Sequence, residues 1–117
     1  MGTFSVPVQV TGPTGISAEV TALIDTGATH TLLPRGIIAD LGITAIGRGP
    51  FQLADERTVE YEVGEVRLRL EGGEQTVLVV FGPEDATPLL GATTLELFNL
   101  AVNPVSQSLI SVPGLLK

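Results

Sequence analysis

The segment from Ile16 to Gly27 constrains the fold more than any other part of the chain. Apolar residues alternate with polar ones as far as Ile24, which predicts a β-strand with one buried face. This strand runs directly into the tripeptide Asp25-Thr26-Gly27. Because a carboxyl group at the end of a buried strand is costly unless it is hydrogen-bonded, Asp25 is a candidate functional residue.

Strand patterns account for most of the remaining sequence. They predict strands at residues 4–10, 51–53, 59–63, 66–70, 76–81, 101–103 and 109–112. The strand at 76–81 is almost wholly apolar and is therefore predicted to be buried on both faces. A turn is predicted at residues 11–15 and another at Gly72-Gly73. Since the alternation changes register at Gly64, a β-bulge is predicted there.

Two short helices interrupt the predicted strands. The first covers residues 34–41 and has Gly42 in position to end it. The second is predicted to begin with a capping box, in which Thr93 is the N-cap and Glu96 the third helical residue, and to continue to about Asn99. The chain is thus predicted to be all-β with one or two short helices.

Length and composition narrow the class of protein. The 117 residues predict one domain, residues 1–117, with an aliphatic core because the chain has only four Phe, one Tyr and no Trp. There is no cysteine, which excludes disulfides and thiolate chemistry, and one histidine cannot supply a multi-histidine metal site. We expect no cofactor and no metal.

Charge and hydropathy bear on partners and location. The net charge of −7 argues against nucleic acid and anionic membranes as partners. The sequence has no secretory signal pattern and no apolar run of about 18 residues, the length that a membrane-spanning helix needs. A cytoplasmic protein is therefore expected.

An Asp-Thr-Gly string alone is a weak signal, because an aspartate commonly accepts the N–H two residues later in an ordinary turn. Its context makes it informative. An apolar strand precedes it, a second apolar segment, Thr31-Leu32-Leu33, follows it, and Leu89-Leu90-Gly91 leads into the second helix. Together these features favour a catalytic role for Asp25.

Residues 22–34 (ALIDTGATHTLLP) resemble the active-site segment of retropepsin-like aspartic proteases, particularly the small bacterial members. Residues 88–104, which begin Pro-Leu-Leu-Gly, resemble the second signature of the same family. The match in order and spacing covers roughly residues 4–112. The resemblance implies a closed all-β acid-protease barrel with one lobe per chain.

The same resemblance implies an aspartic endopeptidase, a homodimer to which each subunit contributes one catalytic Asp25. Chemistry supports this, because hydrolysis by carboxylates needs one group to take a proton from water while another holds a proton on the carbonyl oxygen. A chain with one Asp-Thr-Gly copy obtains the second group from a two-fold related partner. The substrate would be an extended peptide or protein.

Roles of the other residues follow from the resemblance. Thr26 would bond across the dimer, and Gly27 would turn the chain tightly and present its N–H to the carboxylate. Ala28 cannot donate a hydrogen bond to that carboxylate, so activity is expected at mildly acidic to near-neutral pH. Leu89, Leu90 and Gly91 would pack behind the catalytic turn. His30 is expected to be a partly exposed strand residue without a catalytic role.

Residues 51–63 correspond to the flap that closes over substrate, with Ala54, Asp55, Glu56 and Arg57 at its tip. The tip departs from the glycine-rich flap of retroviral members because it is charged. This charge either favours basic residues in the substrate or only keeps the flap solvated. At the C-terminus, Pro113-Gly114 would interrupt the terminal strand that retroviral members interdigitate to hold the dimer.

Two other functions stay open at this level. One is a catalytically silent peptide-binding module on the same fold. The other is a monomeric hydrolase whose second carboxylate comes from Glu84 or Asp85 of the same chain.

Overall fold

Strands dominate the computed structural model, which describes residues 3–114 and residue 116. In chain order, the elements of this described part are β1 (Phe4–Thr11), β2 (Ser17–Ile24), β3 (Thr31–Pro34), α1 (Arg35–Asp40), β4 (Gly47–Gln52), β5 (Thr58–Leu70), β6 (Gly73–Gly82), β7 (Leu89–Leu90), α2 (Ala92–Leu97), β8 (Leu100–Asn103) and β9 (Ser108–Ser111). The predicted all-β class with two short helices is confirmed.

One sheet contains the first seven strands, in the order β1-β2-β7-β3-β6-β5-β4. Three residue pairs, Gln9 with Arg69, Val10 with Leu68 and Thr11 with Arg67, also join β1 to β5. The sheet therefore closes into a ring, and β4 lies outside that ring, paired to β5. Strands β8 and β9 form a separate two-stranded sheet.

The core inside the ring is aliphatic, as expected, with Phe81 as its one buried aromatic residue among those described. Val20, Ala22 and Ile24 face inward from β2, which follows the predicted alternation. Ile16 does not, because β2 begins at Ser17 and the Ile16 side chain is 54% exposed in the preceding turn.

The bulge predicted at Gly64 is wrong. Each residue of β5 from Val63 to Leu70 pairs with β6 in one uninterrupted register. The apolar positions change parity because residues 58–62 belong to a ribbon outside the ring, whereas after Gly64 the strand lies in the ring and Val66, Leu68 and Leu70 face the core. Gly64 permits a close approach instead, since a Cβ there would lie 2.8 Å from Cζ of Phe81 and 2.9 Å from the Thr44 carbonyl oxygen.

The turn between β5 and β6 lies one residue earlier than predicted. Glu71 and Gly72 have φ values of +50° and +80°, as in a two-residue hairpin loop, and β6 already begins at Gly73. The prediction that residues 76–81 are buried on both faces is correct only from Val79 onward, because Leu78 is 42% exposed.

The predicted strand at 51–53 overlaps only the end of β4, which begins at Gly47, and the other remaining elements lie close to the observed ones. Gly42 follows α1 with a φ of +67° and donates its N–H to the Ala39 carbonyl, as expected for a helix-ending glycine. Strand β9 ends at Ser111, before Pro113, which agrees with the predicted interruption. Within the described part of the chain, neither six-residue helix is long and apolar enough to cross a membrane.

Candidate active site

Asp25 lies immediately after β2, at the turn that leads toward β3. Its backbone N–H donates to the Leu90 carbonyl at 3.1 Å, and its own carbonyl accepts from Ala28 N–H at 3.2 Å. The carboxylate oxygen Oδ1 accepts a 2.9 Å hydrogen bond from Gly27 N–H. The side chain is half-buried, so the turn holds the carboxylate at the surface of the ring in a fixed orientation.

The Gly27 contact is the one predicted for a catalytic turn, but an ordinary aspartate turn makes the same contact. Gly27 does not have a positive φ; a Cβ there would lie 3.2 Å from Oδ1 of Asp25. A glycine at position 27 therefore allows the carboxylate to approach closely, and it is not needed for an unusual backbone angle. What distinguishes this turn from an ordinary one is the structure around it.

Strand β7 lies between the strand before Asp25 and the strand after it. Leu89 and Leu90 pair in parallel with Leu23 and Ile24 of β2, and Leu89 also pairs antiparallel with Leu32 of β3. Leu90 is 1% exposed, which makes it a core residue, whereas Leu89 is half-buried. The structure thus brings the two sequence signatures together, with the second directly behind the first.

The capping box predicted at Thr93 is wrong. Helix α2 begins one residue after Gly91, its N-cap, and no side chain caps it. Its first N–H groups, those of Ala92 and Thr93, donate instead to the carbonyls of Ala28 and Thr29 at 2.7 and 3.1 Å. The segment after Asp25 therefore satisfies N–H groups that a helix start leaves without partners in the helix.

Sequence reasoning missed a buried threonine pair behind the Asp25 turn. Thr31 and Thr94 are 1% and 2% exposed, and their hydroxyl groups are hydrogen-bonded to each other. The Thr31 hydroxyl also accepts the Gly91 N–H at 3.2 Å. The only local signal was a polar residue at the start of the apolar run at 31–33, since the two partners lie 63 positions apart.

Substituting the two threonines is expected to destabilise the protein unequally. Thr31→Val leaves both the Gly91 N–H and the Thr94 hydroxyl without a partner, and each buried unsatisfied group costs about 1–3 kcal/mol. Thr94→Val removes only the hydrogen bond between the two hydroxyl groups, and the Gly91 N–H keeps its acceptor on Thr31. Urea unfolding should therefore show a loss for Thr31→Val about twice that for Thr94→Val. Equal losses would contradict the assigned network.

Thr26 is exposed at the edge of the turn and lines a groove of about 570 Å³. The rest of the groove is formed by α2, β8 and the segment after β9; its other lining residues are Ala92, Leu95, Glu96, Asn99, Leu100, Ala101, Val102, Val112, Pro113 and Gly114. Ala28 is half-buried beside the turn, with both its N–H and its carbonyl in backbone hydrogen bonds.

The predicted flap is a ribbon formed by β4 and the first part of β5. Its tip is closed by hydrogen bonds between Leu53 and Arg57 and between Glu56 and Leu53. At the tip, Ala54, Asp55, Glu56 and Arg57 are all exposed, and Asp55 forms an ion pair with Arg57 at 2.7 Å. Within the tip, Arg57 therefore neutralises the charge of Asp55 and leaves that of Glu56.

His30 lies in a bend just before β3 rather than within the strand, and it is exposed. Its ring contacts Phe51 of β4 edge-to-face, with the centroids 5.2 Å apart. Among the described residues, no three histidine, aspartate or glutamate side chains are grouped as a metal site would require.

The two carboxylates proposed for a monomeric hydrolase lie in the loop after β6. The Glu84 carboxylate approaches α1, where a Cβ on Gly36 would lie 2.5 Å from its Oε1. Helix α1 starts at the end of β3 that is remote from Asp25, and four strand residues span about 10 Å. Glu84 is thus held away from the Asp25 turn.

Comparisons with solved structures show the same fold. The chain is similar to EIAV protease in complex with the inhibitor HBY-793, with a TM-score of 0.64, 18% identity, and coverage of 83% of this chain and 88% of that one. It is similar to a retropepsin-like aspartic protease from Rickettsia conorii, with a TM-score of 0.56, 16% identity, and coverage of 88% and 89%.

A third similar structure is the retroviral protease-like domain of Ddi1 from Leishmania major, with a TM-score of 0.56, 16% identity, and coverage of 92% and 87%. No curated protein matches the chain. The sequence profile described as aspartyl protease matches residues 6–94, which include the Asp25 turn, β7 and the start of α2. The chain therefore belongs to the aspartyl protease family and has a retropepsin-like fold.

Proposed function

We propose that the protein is an aspartic endopeptidase whose active site is completed by a second copy of the chain. The observation that carries this proposal is the Asp25 turn, which presents one oriented carboxylate in a member of the aspartyl protease family. Each subunit would contribute one Asp25 to an Asp–Asp dyad. No cofactor is needed for this chemistry.

The proposed dyad works through proton sharing. Two carboxyl groups about 3 Å apart cannot both ionise, so they share one proton, as the known behaviour of aspartic proteases illustrates. The ionised Asp25 would take a proton from a water held between the subunits, and the protonated one would hold its proton on the peptide carbonyl oxygen.

The groove beside Thr26 supports a location for the dimer contact. It begins at the catalytic turn and continues along α2 to the β8–β9 sheet. The β8–β9 sheet packs against the core through Leu100, Val102 and Leu109, whereas Ile110 is left 43% exposed. A second copy that covers this groove would protect β8 and β9, bring the two Thr26 hydroxyl groups toward each other and place the Asp25 turns side by side.

The substrate would be an extended peptide that lies between the Asp25 turn and the flap ribbon, residues 47–63. Such a peptide binds as an added strand, with alternate side chains in pockets. A closing flap excludes water and adds hydrogen bonds to the peptide. Since Arg57 neutralises Asp55, Glu56 carries the tip charge available for a basic substrate residue.

The test is the dependence of specific activity on protein concentration. An obligate dimer loses activity per chain as it dissociates, so cleavage of a peptide library should fall on dilution in step with the dimer fraction from sedimentation. Thr26→Ala is expected to move this fall to higher concentration, whereas Thr26→Ser, which keeps the hydroxyl, should not. Constant specific activity in a monomeric protein would overturn the dimeric mechanism.

A further inference from the structure

The flap ribbon has few attachments to the ring. Strand β4 pairs only with β5 among the described strands, and residues 58–62 of β5 pair only with β4. The ion pairs Arg48–Glu60 and Asp55–Arg57 join residues within the ribbon and do not fix its position. The orientation of the ribbon relative to the ring therefore depends on the contacts at its base.

Two of these contacts are side-chain pairs between the ribbon and the ring. Arg35 of α1 lies 3.2 Å from Glu62, but both side chains are substantially exposed, 51% and 38%, so this pair contributes little. The other is the pair of His30 and Phe51, whose rings are 5.2 Å apart at 85°. An edge-to-face pair of this kind shifts an equilibrium by roughly twofold to tenfold.

The backbone that carries His30 is held firmly. A Cβ on Gly91 would lie 2.5 Å from the His30 carbonyl oxygen, which shows how closely the residue between β7 and α2 packs against His30. On either side, the Thr29 carbonyl accepts the Thr93 N–H, and Thr31 belongs to the buried threonine pair. The imidazole thus projects from a firmly held backbone segment toward a ribbon that has few attachments to the ring.

We propose that His30 is a positioning residue whose ring, through Phe51, holds the flap ribbon over the Asp25 turn before a peptide binds. The contact extends to the opposite strand of the ribbon, because the Phe51 ring lies 6.4 Å from the ring of Tyr61. The inference rests on the proposed function, since it takes this ribbon to be the segment that closes over the substrate.

The position of the ribbon can be measured without any substrate. Tyr61 is the only tyrosine of a chain without tryptophan, so intrinsic fluorescence reports on this ribbon alone. His30→Asn removes the ring and should increase acrylamide quenching of Tyr61 by about twofold, while His30→Phe keeps an edge-to-face partner and should restore the wild-type value. Equal quenching in wild type and His30→Asn would overturn the proposal.

A double-mutant cycle tests whether His30 acts through Phe51. Phe51→Leu should increase Tyr61 quenching, and adding His30→Asn to it should change the quenching little, because the contact is already lost. Additive effects of the two substitutions would contradict the proposal. Circular dichroism and urea unfolding of each variant identify any change that reflects loss of folding.

Kinetics give the second readout. When the closed ribbon is less populated, apparent affinity falls in proportion to its population, so His30→Asn should raise KM by about twofold to tenfold for every peptide and leave kcat nearly unchanged. An effect confined to peptides with one particular side chain would mean that His30 contacts the substrate, which contradicts a positioning role. If the wild-type protein cleaves no peptide, the proposed function fails. Tyr61 quenching would still show whether His30 holds the ribbon in place.

Discussion

Replacing Asp25 with asparagine is expected to abolish peptide hydrolysis without unfolding the protein. Asparagine cannot take up or release the proton that the dyad shares, and loss of general acid–base catalysis costs roughly a thousandfold or more in rate. Its side-chain oxygen can still accept the Gly27 N–H, so the turn should keep its shape. Cleavage of a diverse peptide library, measured beside urea unfolding, checks both parts.

A matched substitution and a mixing experiment sharpen this result. Asp85→Asn makes the same chemical change on an exposed loop, at one of the two carboxylates considered for a monomeric hydrolase, and should leave cleavage intact. Loss of cleavage in this variant would favour the monomeric hydrolase. If dimers exchange subunits, a ninefold excess of Asp25→Asn chains should lower activity per wild-type chain by about tenfold, because most wild-type subunits then have an inactive partner. Undiminished cleavage by Asp25→Asn would exclude the dyad. A biological effect that survives without cleavage would favour the peptide-binding module.

Gly91→Ala is expected to have the largest effect on stability among the site glycines. The new Cβ would lie 2.5 Å from the carbonyl oxygen and 2.8 Å from the nitrogen of His30, and these backbone atoms cannot rotate away. Overpacking of this kind costs about 2–3 kcal/mol, so the urea midpoint should fall clearly. Activity should fall as well, because any shift of β7 displaces the Asp25 turn that it supports.

The control for this substitution is Gly49→Ala in β4. A Cβ at Gly49 would meet nothing within 4 Å, so its urea midpoint should stay close to that of wild type. Similar midpoints for Gly91→Ala and Gly49→Ala would show that the close contact between Gly91 and His30 is not a constraint on the fold.

Features fixed by local pattern were predictable from the sequence. The alternation in β1 and β2 reflects a pleated strand with one buried face, and Gly42 ends α1 because it adopts a positive φ easily. The segment around Asp25 was predictable because its apolar strand, its acidic residue and its glycine are adjacent in sequence. These predictions needed no knowledge of distant partners.

Features that depend on distant partners were not predictable. The start of α2 was misplaced because its first N–H groups bond to Ala28 and Thr29 rather than to a neighbouring side chain. The supposed bulge at Gly64 was misread because the surroundings of β5 change where the ribbon leaves the ring. Thr31 appeared to be an ordinary strand residue, since its partner Thr94 gives no local sign of the pairing.

The closure of the ring has a consequence for how the chain acquires its structure during synthesis. Gln9 of β1 pairs with Arg69 of β5, and Thr31 of β3 pairs with Val79 of β6, so both contacts join distant parts of the sequence. Contacts of high sequence separation slow folding. While a ribosome is still translating, β1 therefore exposes an unpaired edge until β5 emerges, and β2 exposes one until β7 emerges. This interval is when a nascent chain is most prone to misassociate.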